Sequence, residues 1–129
     1  MKVIIAGSRN ITDYEVVKKA VEESLFDLTE VVSGKAKGVD KLGEKYAEEN
    51  DLSIKGFGAE WDNLDVPKYK IKKNKYGKSY NVTAGFERNE KMADYADALI
   101  AIWDDKSKGT KHMIECMRRK GKEVYVHKV

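Results

Sequence analysis

The 129-residue chain has one proline, one cysteine and two histidines. A single cysteine cannot close an internal disulfide, so the fold does not depend on an oxidising compartment. Cys116 lies beside Met117 in a helical pattern, with no His or Asp placed by sequence to activate it, and it reads as a packed thiol. His112 and His127 fall on separate elements. No set of ligands recurs at metal spacing, so no metal site and no required cofactor are expected. No apolar run approaches membrane-spanning length. The start, Lys2 and then Val3-Ile4-Ile5-Ala6, is strand-like rather than leader-like, so the expected setting is the cytoplasm, away from membranes. Charge of one sign is also lacking: 25 basic against 22 acidic residues leave +3, too little to argue for nucleic acid on charge alone.

A chain with 41% hydrophobic and 36% charged residues is that of a folded domain, and its length suits one domain over 1–129. Short β-branched or apolar runs alternate with helical patterns. Strands are expected at Lys2–Ala6, Glu30–Val32, Ser53–Phe57, Ala98–Trp103 and Glu123–His127. Helical spacing follows the first, second and fourth of these, and Ala84–Asn89 leads into a further helix through Met92 and Tyr95. Thr12 or Asp13 can cap the first helix. Asn63–Thr83, which holds Pro67, shows no period and reads as a long surface loop. Strands that alternate with helices need crossovers, which argues for a mainly parallel five-stranded sheet in a Rossmann-like α/β/α sandwich.

Ligands in such sheets sit at the carboxyl ends of the strands. The polar and glycine-rich loops of this chain lie there. After the first strand come Gly7, Ser8 and Arg9, a tight turn with a hydroxyl and a guanidinium suited to phosphate. After the second come Ser33, Gly34, Lys37, Gly38 and Asp40, where Lys37 suits phosphate and Asp40 a ribose hydroxyl or a water. This loop is neither GxGxxG nor a Walker A sequence. After the fourth come Trp103, Asp104, Ser107, Gly109 and Thr110, opening a helix whose free N–H groups favour an anion. Arg88 and Asn89 could hold a phosphate and a base edge, and Trp61 or Trp103 could stack on a ring. Six lysines and no acid lie between Lys68 and Lys78, with Tyr69, Tyr76 and Tyr80 nearby. Solvated loop, lid and single-stranded nucleic-acid contact all fit that composition.

Several of these stretches resemble the YspA-like branch of the SLOG superfamily, the Rossmann-like group that includes the LOG phosphoribohydrolases and DprA. They are KVIIAGSR at 2–9, VVSGKAKGVD at 31–40, the Ala59/Trp61 segment, and AGFERNEKMADYADALIAIWDDKSKGTKHMIE at 84–115. The resemblance implies a nucleotide or nucleotide-derived ligand, such as an ADP-ribose- or NAD-related molecule, held by the residues named above for sensing or sequestration. It also implies a homo-oligomer. LOG enzymes place a Glu three residues after the Gly-Thr. That position is Met113 here, which cannot act as an acid or base, and Glu115 lies two residues further on. LOG-like hydrolysis would therefore need another group, with Asp40, Arg88 and Asp104 as the candidates. A DprA-like single-stranded DNA binder is the third expectation. The 63–83 segment looks longer than the usual link of this branch and is placed to fold over the site or bind a partner.

Overall fold

The computed structural model describes residues 1–129. Its seven strands and four helices follow the chain in the order β1 (Lys2–Gly7), α1 (Tyr14–Ser24), β2 (Glu30–Ser33), α2 (Val39–Glu49), β3 (Ser53–Gly56), β4 (Ile71–Lys73), β5 (Ser79–Asn81), α3 (Ala84–Tyr95), β6 (Ala98–Trp103), α4 (Lys108–Arg119) and β7 (Glu123–Lys128). Five strands form one sheet in the order β3-β2-β1-β6-β7. Every pairing in it is parallel.

Period-two alternation divides the core. On one face Val3, Ile5, Ala98, Ile100 and Ile102 pack with Val17, Ala20 and Val21 of α1 and Val39 and Ala47 of α2. On the other, Ile4, Ala6, Leu99 and Ala101 pack with Met92 and Ala93 of α3 and Met113, Ile114 and Met117 of α4. The result is a three-layer α/β/α sandwich. Each large side chain fully removed from water contributes about 1.5–3 kcal/mol, so the two central strands, buried on both faces, dominate the burial. No helix is long and apolar enough to cross a membrane.

Chain direction within the sheet sets where a cleft forms. From β1 the chain steps outward through β2 and β3, then returns to the other side of β1 for β6 and β7. The crossovers thus diverge between β1 and β6, leaving a crevice beyond their carboxyl ends. Gly7 pairs with Ile102 there. A side chain at Gly7 would collide with the Ile102 carbonyl and meet Val39 Cγ2 at 2.8 Å, so only glycine lets the two strands lie this close.

Asn63–Thr83 is not the unstructured loop that its missing periodicity suggests. It holds a 3₁₀ turn at Lys68–Lys70 and an antiparallel hairpin of β4 and β5. Three-residue strands are too short to show alternation. The available signal was turn chemistry: Asn74 Oδ1 accepts from the Tyr76 and Lys78 N–H groups, and Gly77 has φ +78°. The hairpin is fastened to the body by the Asn81 N–H to the Trp61 carbonyl at 2.7 Å and by an ion pair of Lys70 with Glu87 at 3.2 Å.

Candidate functional site

The loops after β1, β2 and β6 meet the amino end of α3 around a cleft of about 540 Å³. The loop after β6 is built by its own side chains. Asp104 Oδ1 accepts from the backbone N–H groups of Lys106 at 2.8 Å and Ser107 at 2.9 Å. Those two bonds, the largest influences on it, hold the Asp104 carboxyl below its ordinary range. Ser107 caps α4, its Oγ accepting from the Thr110 N–H at 3.3 Å. Trp103 Nε1 donates to the Ser107 carbonyl at 3.1 Å. The Lys108 and Gly109 N–H groups are left without a partner in the chain. With the α4 dipole behind them, they favour an anion.

Ser8 forms the floor of this cleft. Its backbone N–H bonds to the Ile102 carbonyl at 3.3 Å. Its Oγ is buried, the residue being 2% exposed, and makes no hydrogen bond of normal geometry. It lies near enough to Asp104 to help lower that carboxyl. A buried hydroxyl with no partner costs free energy, and Ser8 is among the residues that line the cleft.

On the opposite wall, Arg88 of α3 reaches across to the second loop. Its Nη1 donates to the Gly34 carbonyl and its Nε to Asn89 Oδ1 at 3.2 Å. Burial lowers the Arg88 pKa, with Asp40 acting against that and Arg9 adding to it. Asp40 is 6% exposed. Its Oδ2 accepts from the Ala36 N–H at 3.2 Å. Burial raises its carboxyl pKa despite that bond and despite Arg88. Asp40 is the one carboxyl of the cleft whose pKa is shifted upward. Arg9, Lys106 and Lys108 also line the cleft, and none of the three forms an ion pair within the chain. Cations outnumber acids along the wall.

Of the residues singled out in the sequence, Gly7, Ser8, Arg9, Asp40, Arg88, Asp104, Ser107, Gly109 and Thr110 line this cleft together. The other six stand outside its lining. Ser33 donates to Glu44 at 2.6 Å and accepts from the Lys35 N–H. Gly34 is the seat of Arg88. Gly38, at φ +76°, packs against the Arg9 backbone. Lys37 is exposed on the rim of its loop. Asn89 and Trp103 are braces, holding the Gly109 carbonyl at 3.1 Å and the Ser107 carbonyl respectively. Lining residues not singled out in the sequence include Asn10 and Val82, outside the quoted stretches, and Ala36, Gly85, Phe86, Lys106 and Lys108, inside them. Lys106 and Lys108 were legible as the two lysines flanking the Ser107 cap. Trp61, a candidate stacking side chain in the sequence, has a definite seat. It lies over α3 at Gly85, where a Cβ would meet Trp61 Cη2 at 3.0 Å, and it lines the cleft.

Sequence spacing offered neither a ligand set nor an activated cysteine, yet Glu90, His112 and Cys116 place one donor atom each within 4.8 Å of one another. The pairing of α3 with α4 creates the cluster, which is why spacing along the chain hid it. Its members are bonded to each other and to their surroundings. Cys116 Sγ lies 3.1 Å from Glu90 Oε1 and 3.5 Å from His112 Nε2. Arg119 donates to the same Glu90 oxygen at 2.9 Å. Asn89 Nδ2 faces His112 Nδ1 at 3.2 Å, so the amide donates to Nδ1 and the ring proton sits on Nε2, the nitrogen nearer the thiol. Burial, with Glu90 adding to it, pushes the thiol up to about 11, and burial lowers the pKa of His112. A thiol so held is not a nucleophile at neutral pH.

Residues 1–63 match the model of the YspA, cpYpsA-related SLOG family. No curated protein matches the chain in sequence. Among solved structures, DNA processing protein A (DprA) from Streptococcus pneumoniae superposes with a TM-score of 0.69 over 97% of this chain at 21% identity. That likeness shows a shared fold. The chain spans about half, 49%, of the length of that protein.

Proposed function

Residues 1–63 carry the YspA, cpYpsA-related SLOG pattern, and from that premise we propose that this protein binds a nucleotide or nucleotide-derived ligand across the carboxyl ends of β1, β2 and β6, as a sensing or sequestering module. One observation carries the reading: the buried, unpartnered Ser8 hydroxyl in a cleft rimmed by the open N–H groups at the start of α4. A phosphate oxygen there would accept from the Lys108 and Gly109 N–H groups and from Ser8 Oγ, with Arg9 and Lys106 balancing its charge. Asp40 would accept from a ribose hydroxyl, and Trp61 would cover a ring.

Hydrolysis of an N-glycosidic bond is a second reading, favoured by the raised Asp40 carboxyl beside Arg88. A carboxyl whose pKa burial raises is better suited to act as a general acid than an ordinary one. The LOG Glu position cannot supply it, because Met113 is 1% exposed in the core under α4. The hairpin favours a third, single-stranded nucleic acid, through Tyr69 and Tyr76, 76% and 81% exposed, among lysines.

Native mass spectrometry of the purified protein, then calorimetric titration with AMP, ADP, ADP-ribose and NAD⁺, separates the readings. A bound nucleotide recovered intact after long incubation supports binding. Release of free base in wild type but not in Asp40→Asn identifies the hydrolase. No nucleotide binding, with steeply salt-dependent affinity for an oligonucleotide, transfers the function to the hairpin.

A further inference from the structure

The hairpin brings a second concavity to the edge of the first. A side cleft of about 340 Å³ is lined by Arg9, Trp61, Asp62, Asn74, Lys78 and Tyr80. Arg9 and Trp61 line both spaces, so the two adjoin at those residues. Each is of a size that takes a small-molecule group.

Three features suit the side cleft to a planar ring. The Trp61 and Tyr80 rings lie 6.4 Å apart at 58°, forming an aromatic corner with Trp61 shared between the spaces. The corner is fixed rather than hanging free, since the Asn81 N–H, next to Tyr80, bonds to the Trp61 carbonyl at 2.7 Å. Its far side is closed by the ordered turn at Asn74–Lys78, where the Asn74 N–H bonds to the Lys78 carbonyl at 2.9 Å and Lys78 pairs with Asp62 at 3.3 Å. Where the spaces join, Arg9 has no hydrogen-bond or ion-pair partner within the chain, whereas Arg88, the other arginine of the main cleft, is engaged with Gly34 and Asn89. A free guanidinium at the junction suits a bridging diphosphate.

We propose that the hairpin builds a second subsite, and that the ligand is of the dinucleotide class: two nucleoside-like halves joined through a diphosphate at Arg9, the distal ring stacked against the Trp61–Tyr80 corner on the side-cleft side. The proposal rests on the nucleotide reading of the main cleft and names its ligand class. It gives the long 63–83 segment a role that the sheet and its loops do not require.

The test is calorimetric titration of AMP, ADP, ADP-ribose and NAD⁺ into wild type, Tyr80→Ala and Tyr80→Phe. Stacking of a second ring predicts NAD⁺ binding about tenfold tighter than ADP. Tyr80→Ala should erase that gain while leaving ADP affinity within about twofold, and Tyr80→Phe should retain it. Amide exchange of wild type gives a check independent of any variant, with NAD⁺ but not ADP protecting residues 74–80. Equal affinity for ADP and NAD⁺, or a Tyr80→Ala loss shared by both, overturns the subsite and leaves the main-cleft reading standing. Failure of all four compounds to bind wild type overturns both.

Discussion

Asn89 fastens α3 to the start of α4: its buried amide donates to the Gly109 carbonyl at 3.1 Å while its Oδ1 accepts from Arg88 Nε. One side chain therefore sets the spacing between the Arg88 wall and the anion-facing turn. It does so without lining the cleft.

Asn89→Ala should cost about 1–3 kcal/mol of stability, because bonded polar groups lose their partner inside the fold. It should also weaken nucleotide binding even though the cleft keeps its own residues. Urea unfolding and calorimetry on the same preparation check both effects. Unchanged affinity in a folded variant would show that Asn89 supports the helices alone.

Ser8→Ala should move stability and binding in opposite directions. Removing a buried hydroxyl that has no partner raises the stability of the free protein by about 1 kcal/mol or less. The same change removes a donor from the phosphate position and weakens binding. Thermal denaturation with and without ADP reads both, as a raised midpoint alone and a smaller shift with ligand.

Asp40 should make stability fall as pH rises. In the unfolded chain its carboxyl titrates near the ordinary 3.8, whereas in the fold burial raises that value. Between the two the native state holds the extra proton, so folding is favoured at the acid end of the window and progressively less above it. Asp40→Asn removes this dependence, because the amide stays neutral and its oxygen can still accept from Ala36. Comparing midpoints from pH 4 to pH 7 for the two proteins should show the wild type losing ground to the variant.

Met113→Glu, which writes the LOG-type glutamate back into α4, should destabilise rather than activate. The position is packed among Leu99, Ala101, Met92 and Met117, and an unpaired carboxyl there costs about 3 kcal/mol or more. A stable variant that cleaves a nucleotide would refute this assignment of the position.

The middle of the sheet was legible because β1 and β6 are buried on both faces. Runs such as Val3-Ile4-Ile5 and Leu99-Ile100-Ala101 admit no other short element, and the loops that follow them carry Gly, Ser and Thr. Residues whose place depends on contacts between elements were less visible. Asn89 reads as a ligand-facing amide until α4 is set beside it, and Ser33 reads as a ligand contact until Glu44 takes its hydroxyl. Trp61 gains a definite place only when Gly85, 24 positions later, is brought beneath it. The hairpin escaped because its strands are shorter than the period that would reveal them.

The hairpin segment leaves the body just after Trp61 and returns just before α3, and its two roots are bonded to each other through Trp61 and Asn81. It is a closed detour whose length and lining can change without shifting the register of any strand in the main sheet. A sequence drifting under selection can therefore revise what the outer pocket accepts while the phosphate end stays as it is. Grafting such a detour onto a relative that lacks one would be a compact way to change its choice of ligand.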